Sequence, residues 1–278
     1  MASRKVSPDA TGSRDRRPDE QPPGRRRSRA LRTAAGLLGE AAITLGVLVA
    51  LFAVYSLWWT GVLADQQADR AGSELRGTWS ATASPAPSPA QSPAPVPPTH
   101  EAVPPAPPEP SPAATPRNGE DVGFLHVPAM GAGYQVLIRM GADDRVIDEG
   151  VAGVYEQPYR AAMPWDATGN FALAAHRDGH GAKFHDLDKV GPGDPLVVET
   201  KDAWYVYRVD ATLPSTSRYD VGVIAPVPEH SPYTGPGRYI TLTTCTPVYT
   251  SRYRMAVWGS LVRVVPVDAA RTPPEELR

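Results

Sequence analysis

The sequence predicts an all-β domain, a closed barrel or a sandwich, preceded by a single transmembrane helix and a disordered proline-rich linker. Three features point to this order. From about Asn118 to Val267, short runs of β-branched and aromatic residues alternate with Gly, Pro and Asp, and helical periodicity is scarce. Ahead of them, Ala41–Ala64 reads AAITLGVLVALFAVYSLWWTGVLA without one charged residue. Between the two, residues 80–117 form a Pro/Ala/Ser tract that holds fourteen of the chain's 32 prolines.

Residues 1–40 read as a basic, disordered cytoplasmic tail. Their first 32 positions carry ten Lys and Arg against four Asp and Glu, with too few apolar side chains to bury a core. The uncharged run that follows spans roughly 36 Å as a helix at ~1.5 Å per residue, enough to cross a hydrocarbon layer of about 30 Å. Arg25, Arg26, Arg27, Arg29 and Arg32 precede it and acidic residues follow, which keeps the N-terminus cytoplasmic and places everything beyond Ala64 outside. Tyr55, Trp58 and Trp59 then mark the outer interface. A cleavable signal peptide is the rival, because Val62-Leu63-Ala64 loosely fits a cleavage site. The run, however, exceeds the roughly 7–15 residues of a signal's apolar core. Membrane lipid is therefore the expected partner of the N-terminal region. Nucleic acid is not, since no basic stripe with interleaved aromatics follows.

Residues 65–117 read as an extracytoplasmic linker. Its proline tract favours polyproline II, a semi-stiff spacer that reaches on the order of 100 Å at ~3.1 Å per residue. The domain at 118–267 is expected to contain strands at Gly123–Val127, Gln135–Arg139, Asn170–Ala175, Leu196–Thr200, Trp204–Ala211, Arg238–Cys245 and Tyr253–Val265. One short helix fits Lys183–Val190, with Phe184, Leu187 and Val190 on one side. Residues 268–278 remain as a C-terminal tail.

The single cysteine, Cys245, sits outside the cytoplasm in this topology. There it is a buried small hydrophobe, a partner for another chain, or a reactive thiol. It ends the strand RYITLTTC, which Pro247 stops. Alternation groups Cys245 with Tyr239, Thr241 and Thr243, away from Ile240 and Leu242. Pairing with the next strand, Tyr253–Gly259, would set Arg254 beside the thiol, where a guanidinium favours thiolate and donates to a developing oxyanion. A strand arginine whose stem covers apolar surface is the alternative. His176 closes Asn170–Ala175, also at a strand end. A free thiol, with a pKa of about 8.5, is only a few per cent ionised at neutral pH, so an imidazole serves as base or ion-pair partner and later protonates a leaving amine. The competing use of His176 is a metal site with His180 and His185, which share no face if the short helix begins near Lys183. No cofactor or metal is expected. Calcium dependence is left open, because no carboxylate cluster stands out.

Four segments in order, GFLHVP at Gly123–Pro128, MPWDATGNFALAAHR at Met163–Arg177, TLTTC at Thr241–Cys245 and RMAVWG at Arg254–Gly259, resemble the sortases, in particular the class E housekeeping type of actinobacteria. The resemblance implies a closed eight-stranded sortase-type β-barrel with short helices as the catalytic domain. It implies Cys245 as nucleophile, His176 as the catalytic histidine and Arg254 as the arginine that orients substrate and stabilises the oxyanion. Arg252, of the same strand parity, is a lesser alternative to Arg254. The implied reaction cleaves an LAXTG or LPXTG-like sorting signal between Thr and Gly through a thioacyl enzyme. The partners implied are secreted proteins carrying that C-terminal signal and an amine of the peptidoglycan precursor as acceptor. Ala175 departs from the Gly that many relatives carry before the His-Arg pair, a change of one methyl at the strand end.

Two rivals stand beside this reading. Papain-like wall peptidases place cysteine before histidine, the reverse of the order here, and the SHGC-type box of the L,D-transpeptidases is missing. A membrane-tethered, non-catalytic binding barrel with a packed cysteine is the other.

Overall fold

A computed structural model describes residues 24–82 and 115–278. Residues 1–23, with much of the expected tail, and 83–114, with most of the proline tract, lie outside the described residues. The first element, α1 (Gly24–Thr82), is a single helix of 59 residues and extends beyond the expected span at both ends. The tail and linker boundaries are corrected accordingly: residues 24–40 and 65–82 are helical. Both stretches lack proline and are rich in Ala, Leu, Arg, Glu and Gln, which propagate helix well. Two compact units divide the chain, one through Val54 and one from Tyr55 to Arg278. In the first, the apolar side chains, among them Leu38, Ile43 and Phe52, are exposed. The helix has a mean hydropathy of 2.3 over its most apolar window and is long enough to cross a membrane.

The second unit holds a closed barrel of eight strands. These are β1 (Asp121–His126), β2 (Gln135–Met140), β3 (Ala152–Val154), β4 (Gly169–Ala174), β5 (Pro195–Glu199), β6 (Ala203–Ser217), β7 (Arg238–Thr246) and β8 (Tyr253–Pro266). The order around the barrel is β1-β2-β3-β4-β7-β8-β6-β5, closed by antiparallel pairing of β1 with β5. Seven strands fall where expected. β3 was not anticipated, because three residues, Ala-Gly-Val, are too short to show a period. A short helix, α2 (Asp144–Ile147), capped by the Asp143 side chain, leads to β3 and was not anticipated either. The helix expected at 183–190 is reduced to a 3-10 turn at Leu187–Lys189, although Phe184, Leu187 and Val190 do point into the core together. That core also takes Ile138, Phe171, Leu173, Ile240, Leu242 and Trp258.

The stretch expected to begin the linker is instead docked on the barrel. Ala64, Ala68, Leu75 and Trp79 recur at helical spacing, and Ala68 and Trp79 are buried against Phe124, Leu137, Val146 and Val151. Beside this seam the buried Glu199 carboxylate gathers three cationic or imidazole groups from distant segments. Arg76 Nη2 reaches it at 2.9 Å, His126 Nε2 at 3.1 Å and Arg271 Nη2 at 3.0 Å. Arg76 also lies over the Phe124 ring at 3.9 Å, and Arg271 over Trp79 at 4.4 Å. Arg271 and Leu277 thereby attach residues 268–278 to the barrel, so the expected free tail is corrected as well. Both flanks of the proline tract, Thr82 and Thr115, lie in the barrel's own unit.

Burial alone would raise the Glu199 pKa, but the hydrogen bonds from His126, Arg76 and Arg271 outweigh it and bring it down to about 2. A carboxylate depressed in the folded state contributes stability that is complete above its unfolded value near 4.5 and is lost as pH falls towards 2. The linkage is worth on the order of 3 kcal/mol at neutral pH. Glu199→Gln is therefore expected to lower stability by about that amount at pH 7. Denaturant midpoints taken from pH 7 down to 3 should fall more steeply for the native chain than for the variant. Parallel curves would show that Glu199 bears no such load.

Candidate active site

The site assembles where β4, β7 and β8 end together. β7 and β8 are antiparallel, and their register sets Cys245 directly opposite Arg254, a cross-strand position at which Cβ atoms stand ~4.5–5.5 Å apart. Cys245 is a free thiol and only half-buried, so it is not a packed core residue. The Arg254 guanidinium donates through Nη1 to the carbonyls of Ser251 at 3.2 Å and Tyr253 at 3.1 Å, which holds it at the mouth of the strand pair. Arg252 lies before β8 begins, exposed and off the ladder.

β4 runs parallel to β7 with Ala174 level with Thr243. The pairing continues one step further, since Ala175 N donates to the Thr243 carbonyl at 3.3 Å and Thr244 Oγ1 to the Ala175 carbonyl at 2.8 Å. His176 is the next residue, two past the end of β4. The buried Arg177 secures the turn beyond, donating to Thr246 Oγ1 at 3.0 Å and pairing with Asp188 at 2.9 Å.

His176 does not stand alone. Its Nε2 lies 2.7 Å from Asp148 Oδ1, and its ring stacks on His180 with centroids 5.1 Å apart. His180 Nδ1 in turn donates to the Asp148 carbonyl at 3.1 Å. His185 turns elsewhere, its Nδ1 donating to the Arg177 carbonyl at 2.9 Å, whereas His176 and His180 share Asp148. Among the described residues, Asp220, Glu229 and His230 form the group whose ligand atoms approach within 4.8 Å of one another, in the β6–β7 connection. Asp220 there already accepts from Thr216 at 2.5 Å and pairs with His230 at 3.3 Å.

Sequence reasoning missed Asp148 and Tyr155. Asp148 lies 28 residues before His176 with no spacing signal, and reaches it only because α2 and β3 lie beside β4. The Tyr155 hydroxyl meets Thr243 Oγ1 at 3.0 Å. Burial pushes the phenol pKa up. The Thr243 hydrogen bond and the Arg254 charge oppose that rise and the Cys245 charge adds to it, so the ring senses both site residues.

The β6–β7 connection is held by Trp258 Nε1 donating to the Val223 carbonyl at 2.9 Å and Asn170 Nδ2 to the Ala225 carbonyl at 3.0 Å. A cavity of about 500 Å³ between Met163, Asp166, Asn170 and Ile224 lies at the start of β4, roughly 20 Å from His176 at ~3.3 Å per strand residue. Two further cavities, of about 360 and 680 Å³, both adjoin Pro247, two residues beyond the thiol.

Comparison with known proteins agrees with this geometry. The family model described as the sortase domain matches residues 125–262. Sortase SrtE2 of Streptomyces coelicolor is 48% identical over 92% of this chain and 93% of its own length. Sortase SrtE1 of the same organism is 39% identical over 87% of this chain and 62% of its own. Among solved structures, sortase E1 from Streptomyces coelicolor, determined with a tripeptide in its active site, superposes with a TM-score of 0.53 at 44% identity, covering 58% of this chain and 97% of that one. Sortase E from Streptomyces avermitilis gives a TM-score of 0.52 at 34% identity, over 58% of this chain and 99% of its own. A cysteine and an arginine face to face across one strand pair, a histidine just past the end of the neighbouring parallel strand and relatives matched over nearly the whole chain lead to one conclusion: the protein belongs to the sortase family of cysteine transpeptidases, in its class E.

Proposed function

We propose that the chain, anchored in the membrane by α1 with its N-terminus cytoplasmic, cleaves an LAXTG or LPXTG-like sorting signal and joins the protein to a peptidoglycan amine. The observation that carries the reading is the Cys245–Arg254 pair on β7 and β8, with His176 two residues past the end of β4, the strand that runs parallel to β7. As Cys245 Sγ forms a bond to the Thr carbonyl carbon, His176 takes the thiol proton, and it delivers that proton to the departing Gly amine as the C–N bond breaks. The acceptor amine then attacks the thioester and loses a proton to His176, which returns it to Sγ as the S–C bond breaks and the thiol is regenerated. Arg254 donates to the oxyanion in both halves. The test offers the full chain in nanodiscs a quenched LAXTG peptide with and without an amine acceptor. Amine-dependent product in place of simple hydrolysis is the expected result. Cleavage without any transfer would refute the transpeptidation assigned here.

Asp148 is the positioning residue of this scheme, because its carboxylate fixes one nitrogen of His176 and so decides which nitrogen is free for the substrate. Asp148→Asn keeps the shape and removes the charge. It is expected to lower kcat on the order of 10-fold, part of the 10²–10⁴ that a well-placed acid-base contributes, with KM and the thermal midpoint unchanged. An equal rise in KM with kcat intact would assign Asp148 to binding instead.

A further inference from the structure

The last turns of the apolar run belong to the barrel's unit, and there α1 meets the loops that carry the site. Ala64, the final residue of the run, lies against Gly150: a Cβ on Gly150, which has φ +74°, would stand 3.0 Å from the Ala64 carbonyl oxygen. Gly61 faces Gly181, and a Cβ on Gly61 would come within 3.9 Å of the Gly181 nitrogen. A Cβ on Gly181 itself, at φ +76°, would fall 2.6 Å from Asp65 Oδ1. Asp65, the first charged residue after the run, holds Lys183 Nζ at 2.7 Å. Glycine is what allows backbone and helix to approach this closely at a positive φ. Gly150 follows Asp148 by two residues and Gly181 follows His180 by one. The loops bearing the Asp148–His176–His180 cluster are therefore wedged against the Gly61–Asp65 turn.

We propose that these loops rest at the headgroup level of the outer leaflet, so that phospholipid headgroups form one bank of the active-site mouth. The proposal rests on the membrane-anchor reading above. Gly61 precedes the last apolar residue by three positions, about 4.5 Å of helix rise, so the Gly179–Lys183 loop stands within one turn of the hydrocarbon boundary. The exposed, stacked Tyr55 and Trp59 rings, with centroids 5.6 Å apart, lie just before it, where amphipathic aromatics collect. The Glu199 clamp at Arg76 is fifteen residues further along α1, roughly 22 Å away, and holds the opposite end of the docked segment clear of the bilayer. The barrel thus works with its histidine side turned to lipid.

The experiment uses the full chain carrying Cys245→Ala, with one new cysteine, His180→Cys, Trp59→Cys or Lys201→Cys, labelled with a fluorophore. Each is placed in nanodiscs of phosphatidylcholine and phosphatidylglycerol that carry a nitroxide on the headgroup or midway along the acyl chain. The label at 180 is expected to lose about half its emission to the headgroup nitroxide and little to the mid-chain one, with the label at 201, beside the Glu199 clamp, unaffected by either. Quenching at 59 with none at 180 would overturn the proposal and leave the anchor intact. No quenching at 59 would remove the anchor, and the proposal with it.

Discussion

Replacing Cys245 by alanine is expected to abolish both cleavage and transfer, a loss of at least ~10³-fold, because covalent machinery that has lost its nucleophile retains only binding and oxyanion stabilisation. Cys245 is half-buried at a strand end, so the substitution deletes one half-buried sulfur and should cost about 1 kcal/mol of stability or less. The variant should fold, bind peptide and do nothing further. Mass spectrometry sharpens the result: with peptide and no amine, the native chain should carry the acyl mass on Cys245, and the variant should carry none. Turnover that survives the substitution would assign the chemistry to another group, and the half-buried thiol would be a packing residue after all.

Arg254→Ala is expected to cost ~10²–10³-fold in kcat, the scale of losing one oxyanion donor. Arg254→Lys should recover only part, since an ammonium offers a point charge where the reaction uses a planar fork. The rival role, a stem covering apolar surface, makes the opposite forecast: a lower thermal midpoint, restored by lysine, with kcat untouched. Arg252→Ala serves as the internal control, because Arg252 lies outside the ladder that pairs Cys245 with Arg254. If Arg252→Ala proved the more damaging substitution, the assignment would move to it.

Most strands were legible because alternation over five or more residues is local, and the residues of β7 and β8 are joined by a connection short enough to make Arg254 a neighbour of Cys245. His176 could be named from its position at a strand end and from the resemblance, but nothing in its sequence neighbourhood shows that its strand lies beside the one that carries the thiol. That depends on the parallel pairing of β4 with β7, strands separated by β5 and β6 along the chain. Three-residue β3 and four-residue α2 were too short to leave a pattern, and Asp148 between them went unnoticed. The linker expectation failed for a different reason. Ala68, Leu75 and Trp79 carry a helical period, but they adjoin a proline tract whose composition masks it.

By itself the sequence determined the apolar span, the all-β character of the domain and the three side chains proposed for the chemistry, since each is written in a contiguous run or a short motif. Only the tertiary structure decided that Asp148 and His180 flank His176, that Glu199 gathers Arg76, His126 and Arg271, and that α1 continues past the span to lie against the histidine loop. Apart from His180, four residues from His176, those partners are brought together by barrel closure and helix docking from tens to nearly two hundred positions away, and no local periodicity records which distant partner a side chain will meet.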